Sequence, residues 1–412
     1  MSLRDAKRGL LTILHSARNL SSLSILDLDA FSFPTKDLKT MLDSLPRLRE
    51  LEMSGIQKKH EGVLINVLPR LQTLGLDFLD GCDASVFLKC HQTDSLEDVA
   101  LYNAMFKDTS ISLPTVHTLR ARPTNFPSDV DALVRIFPNV KDVIFDFPHE
   151  CGSLDAEYRK RLPRGFPRYF GIGSIDPAGA SVQELRGRLL TRPQRKADAW
   201  PHIQSLLAVG ITGGNLIWLG LTCEVPRLEV SSWRMKKTQL ACVLNELHVR
   251  CLVLHPGTHH AFSNKQPAYG WELLAALRSA PTVTQLAVVL CRPSVGYFSA
   301  ATWLDTFSAH LGKSSVSYLM VRLAFDHRLN KVLSDLIWAW RKTIARKSAS
   351  LRIFLCQVGD RVPQGWVKEE RGWKEMTEDE TQKLVASESI CPAIVEPCEQ
   401  CQSERRRRNR GR

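Results

Sequence analysis

Along the first third of the chain the apolar positions fall into a recurring triplet: one apolar residue, a second three positions on, and a third two further. The triplets are Leu23/Leu26/Leu28, Leu48/Leu51/Met53, Leu71/Leu74/Leu76, Leu96/Val99/Leu101, Val116/Leu119/Ala121 and Val140/Val143/Phe145. Their first members stand 25, 23, 25, 20 and 24 residues apart. The last two members are two residues apart, which puts both on one face of a β-strand and turns the residues flanking them to the other. Between the triplets, residues 36–44, 60–67 and 128–137 carry helical patterns. In the third of these Ser128 supplies an N-cap, and Val130, Leu133, Val134 and Phe137 share one helical face. Pro46, Pro69, Pro114 and Pro138 stand just ahead of the strands, where a helix must end. Each unit reads as a helix or turn followed by a short strand, and parallel strands joined by such crossovers stack into a solenoid.

The rhythm breaks after residue 147. The stretch RLPRGFPRYFGIGSIDPAGAS at 161–181 is rich in Gly and Pro and reads as loop, with helix-like patterns over 181–190 and 197–208. Triplets then return at Leu216/Leu219/Leu221, Val249/Leu252/Leu254, Val283/Leu286/Val288 and Val316/Leu319/Val321, now 33, 34 and 33 residues apart. Helical patterns fill 237–247, 271–279, 300–311 and 329–346, and a final strand fits 351–356. A period of this length also suits tetratricopeptide or ankyrin arrays. Neither places a strand phrase such as RCLVLHP or TQLAVVL in every unit. From residue 358 the periodicity is lost, and beyond Leu384 the chain reads as disordered. The predicted organisation is an N-terminal lobe over 1–147, an irregular insertion over 148–207, a C-terminal lobe of longer α/β repeats over 208–357, and an irregular to disordered tail over 358–412.

The phrase SLPRLRELEMSG at 44–55 is echoed by VLPRLQTLGLDF at 67–78. This wording, in units of 20–25 residues, resembles a leucine-rich repeat. The irregular unit lengths resemble the repeat regions of fungal F-box/leucine-rich-repeat proteins over about residues 19–147. The resemblance implies an α/β fold, an irregular leucine-rich-repeat-like solenoid with a parallel sheet on its concave face and helices on its convex face. It also implies a protein-interaction module related to the substrate receptors of ubiquitin ligases. A ligase adaptor is then a candidate partner, although the family's docking module is not seen ahead of the first triplet. That family carries Asn or Cys three residues past the last strand leucine. Here those places hold Phe31, Ile56, Leu79 and Ala104, so irregular turns are expected.

Composition narrows the picture. With 44% hydrophobic and 24% charged residues over 412 positions, the chain is a folded protein too long for one ordinary core. Its net charge is +12, but the last ten residues carry six Arg and one Glu, leaving +7 on the rest. That mild excess does not describe a dedicated nucleic-acid groove. Eleven cysteines, irregularly spaced from Cys82 to Cys401, do not describe a disulfide scaffold. No apolar run reaches the roughly 18–20 residues of a membrane span, and the apolar stretch at 10–14 is too short for a signal sequence. An intracellular protein of cytoplasm or nucleus, not bound to membrane, is expected.

The residues flanking each inner apolar pair are expected to line the concave sheet. They are Asp27, Asp29, Glu50, Glu52, Thr73, Asp77, Asp98, Tyr102, Arg120, Arg122, Asp142 and Asp146. That face is acidic with one basic rung. It reads either as a groove for a basic segment of another protein or as an ordinary solvated face. In the second lobe the equivalent places hold Trp218, Val253, Ala287, Val289, Tyr318 and Met320, which form either an apolar contact patch or a surface covered by the insertion.

Catalytic phrases are not evident. Gly171 and Gly173 do not complete a nucleotide-binding loop, and no GxSxG, HExxH or kinase phrase occurs. His255, His259 and His260 lack an accompanying carboxylate motif. Cys391, Cys398 and Cys401 supply three thiols where a structural zinc site needs four ligands. The expectation is a non-catalytic protein with no cofactor and no metal. The tail residues Arg405, Arg406, Arg407, Arg408 and Arg410 form a basic cluster that suits a localisation signal or a nucleic-acid contact. A nucleic-acid-associated protein is therefore the alternative function.

Overall fold

The computed structural model describes residues 9, 12–14, 16–26, 28–31, 34–79, 82–89, 94–123, 128–146, 200–209, 221, 223–232, 237–256, 274–291, 307–324, 341, 343–344, 347–358, 362–370 and 372–388. The chain divides into two compact units, Met1–Pro226 and Arg227–Arg412.

Among the described residues of the first unit, seven strands follow one another across an open sheet: β1 (Ser22–Ile25), β2 (Glu50–Ile56), β3 (Thr73–Phe78), β4 (Asp98–Ala104), β5 (Thr118–Pro123), β6 (Asp142–Asp146) and β7 (Ser205–Val209). Each is parallel to the next. The helices α1 (Leu28–Phe31), α2 (Thr35–Asp43), α3 (Ala84–Leu88) and α4 (Ser128–Ile136) lie in the connections. Parallel neighbours require a crossover on one side of the sheet. Strands in chain order with a crossover after each make an irregular, leucine-rich-repeat-like α/β solenoid.

The triplets explain the core. Leu51 and Met53, Leu74 and Leu76, Val99 and Leu101, Leu119 and Ala121, Val143 and Phe145, and Leu206 and Ala208 are all buried, as are Leu38, Met41 and Leu42 on α2. Each leucine-sized side chain so removed from water contributes about 1.5–3 kcal/mol.

The first triplet residue closes a β-turn with proline inside it. The amides of Leu48, Leu71, Val116 and Val283 donate to the carbonyls of Leu45, Leu68, Leu113 and Ala280, with Pro46, Pro69, Pro114 and Pro281 as the second turn residue. One carbonyl ahead of each strand then takes two amides from the next rung. Ser21 O accepts from Arg49 and Glu50, Arg49 O from Gln72 and Thr73, and Gln72 O from Glu97 and Asp98. Side chains reinforce the turns: Ser95 Oγ donates to Pro69 O and Leu71 O, and Asn139 Nδ2 to Pro114 O. Polar residues on the entry side of the strands thus tie neighbouring rungs together.

In the second unit β8 (Arg227–Ser232), β9 (Cys251–Pro256), β10 (Gln285–Cys291), β11 (Tyr318–Ala324) and β12 (Ile353–Val358) are parallel in order. Helix α5 (Lys237–Glu246) lies between β8 and β9. The array then changes sense. Strand β13 (Gln364–Glu369) pairs antiparallel with β12, and β14 (Gly372–Glu375) antiparallel with β13. Trp366 on β13 stacks on Phe354 at 5.4 Å between ring centroids and takes the Arg341 guanidinium on its ring at 5.1 Å. Helix α6 (Glu378–Glu388) follows.

Several expectations need correction. The first rung is Leu20/Leu23/Ile25, not Leu23/Leu26/Leu28. Leu23 and Ile25 pair with Leu51 and Met53, and Leu26 is left exposed. Of the expected helix at 60–67, residues 61–67 are turns between 3₁₀ segments at Lys58–His60 and Leu68–Arg70. Within the expected helix at 197–208, residues from Trp200 onward lead into and form β7, with Trp200 buried and its Nε1 donating to Phe137 O at 2.7 Å. A further rung, Val225/Leu228/Val230, stands in β8. The triplet at 216–221 lies outside the described residues except Leu221, which is in no strand. Residues 364–388, expected to be irregular to disordered tail, form β13, β14 and α6, because antiparallel pairing and burial order them where repeat periodicity has ended.

Candidate interaction surface

The register of the first sheet decides which side chains share its outer face. One row across the strands is Ser22, Glu50, Thr73, Asp98, Thr118, Asp142 and Ser205, a strict alternation of hydroxyl and carboxylate. Neighbouring strands are about 4.8 Å apart, so the carboxylates of Glu50, Asp98 and Asp142 recur about every 9–10 Å. The next row is Ser24, Glu52, Gly75, Ala100, Arg120, Ile144 and Leu207. Ser24 Oγ donates to Glu52 Oε2 at 3.2 Å. The Glu52 side chain lies across Gly75, where a β-carbon would come within 3.1 Å of Glu52 Cγ. A third row places Ser54, Asp77, Tyr102 and Arg122 side by side.

This third row is locally organised. Asn103, held at φ 55°, donates from Nδ2 to Asp77 Oδ1 at 2.8 Å, and the Arg122 guanidinium sits over the Tyr102 ring at 5.2 Å. Burial pushes the Asp77 carboxyl above its ordinary value, and the nearby Glu52 charge adds to the rise. The Asn103 hydrogen bond and the Arg122 charge oppose it. Glu50, Glu52 and Arg120 are exposed, and Thr73, Asp77, Asp98, Ala100, Tyr102 and Arg122 half-buried.

The sequence-predicted residues Glu50, Glu52, Asp77, Asp98, Tyr102, Arg120, Arg122 and Asp142 therefore share one face. Asp146 ends β6, and its side chain lies outside the described residues. Asp29 does not join that face. It lies on α1, accepts from Gln57 Nε2 at 2.8 Å and pairs with Lys59 Nζ at 3.7 Å. Its displacement follows from the three-residue shift of the first rung. Asp27 lies outside the described residues, as do Trp218, His259, His260, Cys391, Cys398, Cys401 and the tail arginines Arg405, Arg406, Arg407, Arg408 and Arg410; for His255 only the backbone, in β9, is described. Ser22, Ser24 and Thr118 complete the face and carry no charge by which a search for charged positions would find them.

Beside this unit's sheet, His60 is buried, with Nδ1 accepting the Gln57 amide at 3.1 Å. Burial lowers its imidazole below the ordinary 6.5, the Lys59 charge adds to the drop, and Asp29 opposes it.

The equivalent face of the second unit differs in kind. Its central row is Glu229, Val253, Ala287, Met320, Leu355 and Gly365. Cys251, Val253, Ala287, Val289, Tyr318, Met320 and Leu355 form one buried cluster, and Ile353, Leu384 and Val385 pack against it. The last two belong to α6. Val253, Ala287, Val289, Tyr318 and Met320 are buried, and two residues of a C-terminal helix pack against the cluster they form. At the head of the row Glu229, 2% exposed, pairs with Arg227 at 3.1 Å.

Among the described residues no group of His, Cys, Asp and Glu is arranged to hold a metal ion, and no helix is long and apolar enough to cross a membrane. No protein-family model matches the chain, and no curated protein does. Among solved structures, the leucine-rich repeat-containing protein LegL7 from Legionella pneumophila is similar. The TM-score is 0.40 at 13% identity, covering 93% of this chain and 95% of that one. The fold assignment stands on the strand order and register described above.

Proposed function

We propose that this protein is a non-catalytic, intracellular interaction scaffold whose first unit binds an extended basic segment of another protein across its sheet face. The observation that carries this reading is the row Glu50–Thr73–Asp98–Thr118–Asp142, with carboxylates on alternate strands. A segment crossing the strands with Lys or Arg at about 9–10 Å intervals meets each carboxylate in turn. Arg120, in the neighbouring row, favours an acidic residue at that point and so sets the register of the partner. Such alternation of charge selects partners more than it adds raw affinity.

The test compares the tagged full-length chain with its Glu50→Lys/Asp98→Lys variant, purified from native cells, by mass spectrometry of the bound proteins. The expected result is a set of partners, rich in basic segments, whose recovery falls at least about tenfold with the variant. The same partners at the same recovery from both chains would contradict the reading.

The finer reading, a substrate receptor of a ubiquitin ligase, is supported only by the resemblance of the repeat phrase. Recovery of an F-box adaptor and a cullin in the same purification supports it, and their absence beside other specific partners removes it. The nucleic-acid alternative rests on the tail arginines. It requires RNA binding that weakens steeply with salt and is lost on removal of residues 405–412.

A further inference from the structure

We propose that the turn at Gln57–His60 is an acid-sensitive latch in the first unit. Closed, it ties α1 and the start of α2 to the end of β2, and protonation of His60 opens it. The inference is independent of the partner reading.

The latch is built on one imidazole. Strand β2 runs into the 3₁₀ segment Lys58–His60, and the two ends of the turn are bonded to each other. The His60 amide donates to Gln57 O at 2.9 Å, and the Gln57 amide donates to His60 Nδ1 at 3.1 Å. The residue is 1% exposed. A ring nitrogen that accepts an N–H carries no proton, so the neutral ring holds its proton on Nε2. That Nε2 is buried and makes no hydrogen bond among the described residues.

This geometry admits only the neutral ring. A second proton would go to Nδ1, the nitrogen that faces the Gln57 N–H. The acceptor would become a donor, and the bond that closes the turn would give way to two opposed N–H groups. The cation would also be buried with its Nε2–H unanswered, which is strongly unfavourable. The charges that act on the ring are Lys59 on its own turn and Asp29 on α1. Burial and then Lys59 hold the ring neutral, and Asp29 opposes them. Both charged side chains stand in solvent, where salt weakens their effect. Once protonated, the ring must leave its seat.

The rest of the turn carries the ties to its neighbours. Gln57 Nε2 donates to Asp29 Oδ1 at 2.8 Å, Lys59 Nζ pairs with the same oxygen at 3.7 Å, and Thr35 Oγ1 donates to Lys59 O at 2.6 Å. Asp29 lies on α1, which has four residues, and Thr35 begins α2. A helix of one turn has no stability of its own, so α1 depends on such contacts and on Leu28, 0% exposed. Opening of the turn releases the ties to Asp29 and uncovers Leu28, while the ladders of β2 with β1 and β3 stay paired.

The experiment uses the full-length chain and its His60→Gln variant, whose amide oxygen accepts the Gln57 N–H without titrating. Hydrogen exchange is measured at about pH 7.5 and about pH 5.5 and corrected for the intrinsic effect of pH. In the unaltered chain α1, the start of α2 and residues 57–60 are expected to lose protection at least about tenfold on acidification, with β4 and β5 unchanged. The variant is expected to show no such loss. Proton–nitrogen correlation spectra of isotope-labelled histidine give a second reading on the unaltered chain. They should show His60 protonated on Nε2 and bare on Nδ1 at the higher pH, titrating below its ordinary 6.5. Equal loss in both chains, loss spread evenly over the sheet, no loss at all, or a proton on Nδ1 would each overturn the proposal. Where His60→Gln fails to fold, the spectra and the locality of the loss in the unaltered chain decide.

Discussion

The two sheet faces are built on the same strand register and differ in chemistry and exposure. In the first unit the outward rows carry carboxylates, hydroxyls and two arginines, and Glu50, Glu52 and Arg120 are exposed. In the second unit the outward rows are apolar and buried, and α6 packs against them. The inward rows are alike in both, with leucine, valine and phenylalanine packed out of water. The inward positions therefore specify the repeat, and the outward positions are free to diverge.

The sharpest way to break this comparison is to place the same charge at two equivalent positions. Ala100 and Ala287 both occupy the central outward row, one half-buried on the first sheet and the other 0% exposed on the second. Ala287→Lys is expected to destabilise the protein by about 3 kcal/mol or more, because it puts a charge into a covered apolar cluster. Ala100→Lys is expected to change stability by no more than about 0.5 kcal/mol. Chemical denaturation of both variants reads the difference, and equal losses would erase the distinction.

Next in size is Gly365→Ala. The added methyl meets Thr381 and Leu355 below van der Waals distance, so it is expected to cost about 1–3 kcal/mol by overpacking. The loss should be confined to α6, seen as faster hydrogen exchange over residues 378–388 with β10 and β11 unchanged. Thr377→Ala removes the capping oxygen of α6 and is expected to cost about 1 kcal/mol, again read as faster exchange in that helix. A Thr377→Ala effect spread evenly over both units would contradict the local role.

The smallest expected effect is a pH dependence in the first unit alone. His60 titrates below its ordinary 6.5 when folded. Between the folded and unfolded values the unfolded chain binds more protons, so stability rises with pH there and is lost as pH falls below about 6.5. The denaturation midpoint of the unaltered chain should fall more between about pH 7.5 and pH 5.5 than that of His60→Gln. Equal slopes would assign the acid sensitivity to other groups.

How much of this was legible depended on how unambiguous each local signal was. Five of the six early triplets are strands as read, because apolar residues at i and i+2 leave a strand only one face to bury. The first was misread because LSSLSI and LSILDL both satisfy the pattern. Pairing of Leu23 and Ile25 with β2, together with the two amides on the Ser21 carbonyl, selects the earlier one. That choice moved Asp29 off the sheet.

Strand β7 was hidden because its triplet Ile203/Leu206/Ala208 lies in a stretch, 197–208, that also satisfies a helical pattern, yet Pro201 repeats the proline spacing of Pro46 and Pro138. The packing of α6 against the second unit was not legible from periodicity. Helix α6 carries only Leu384 and Val385 as large apolar residues, and the cluster they pack against draws on strands from β9 to β12. Its start was readable, since Thr377 and Glu380 have the spacing of a capping box.

The most direct test of the contrast is hydroxyl-radical footprinting of the intact chain, comparing Tyr102 with Tyr318 and Met320. Tyr102 is half-buried on the first face, whereas Tyr318 and Met320 are 3% and 0% exposed beneath the second. The account predicts oxidation of Tyr102 with protection of Tyr318 and Met320, although methionine is the more reactive side chain. Oxidation of Tyr318 and Met320 at the rate of Tyr102 would show that the second face is open, and the division between a displayed and a covered sheet would fall.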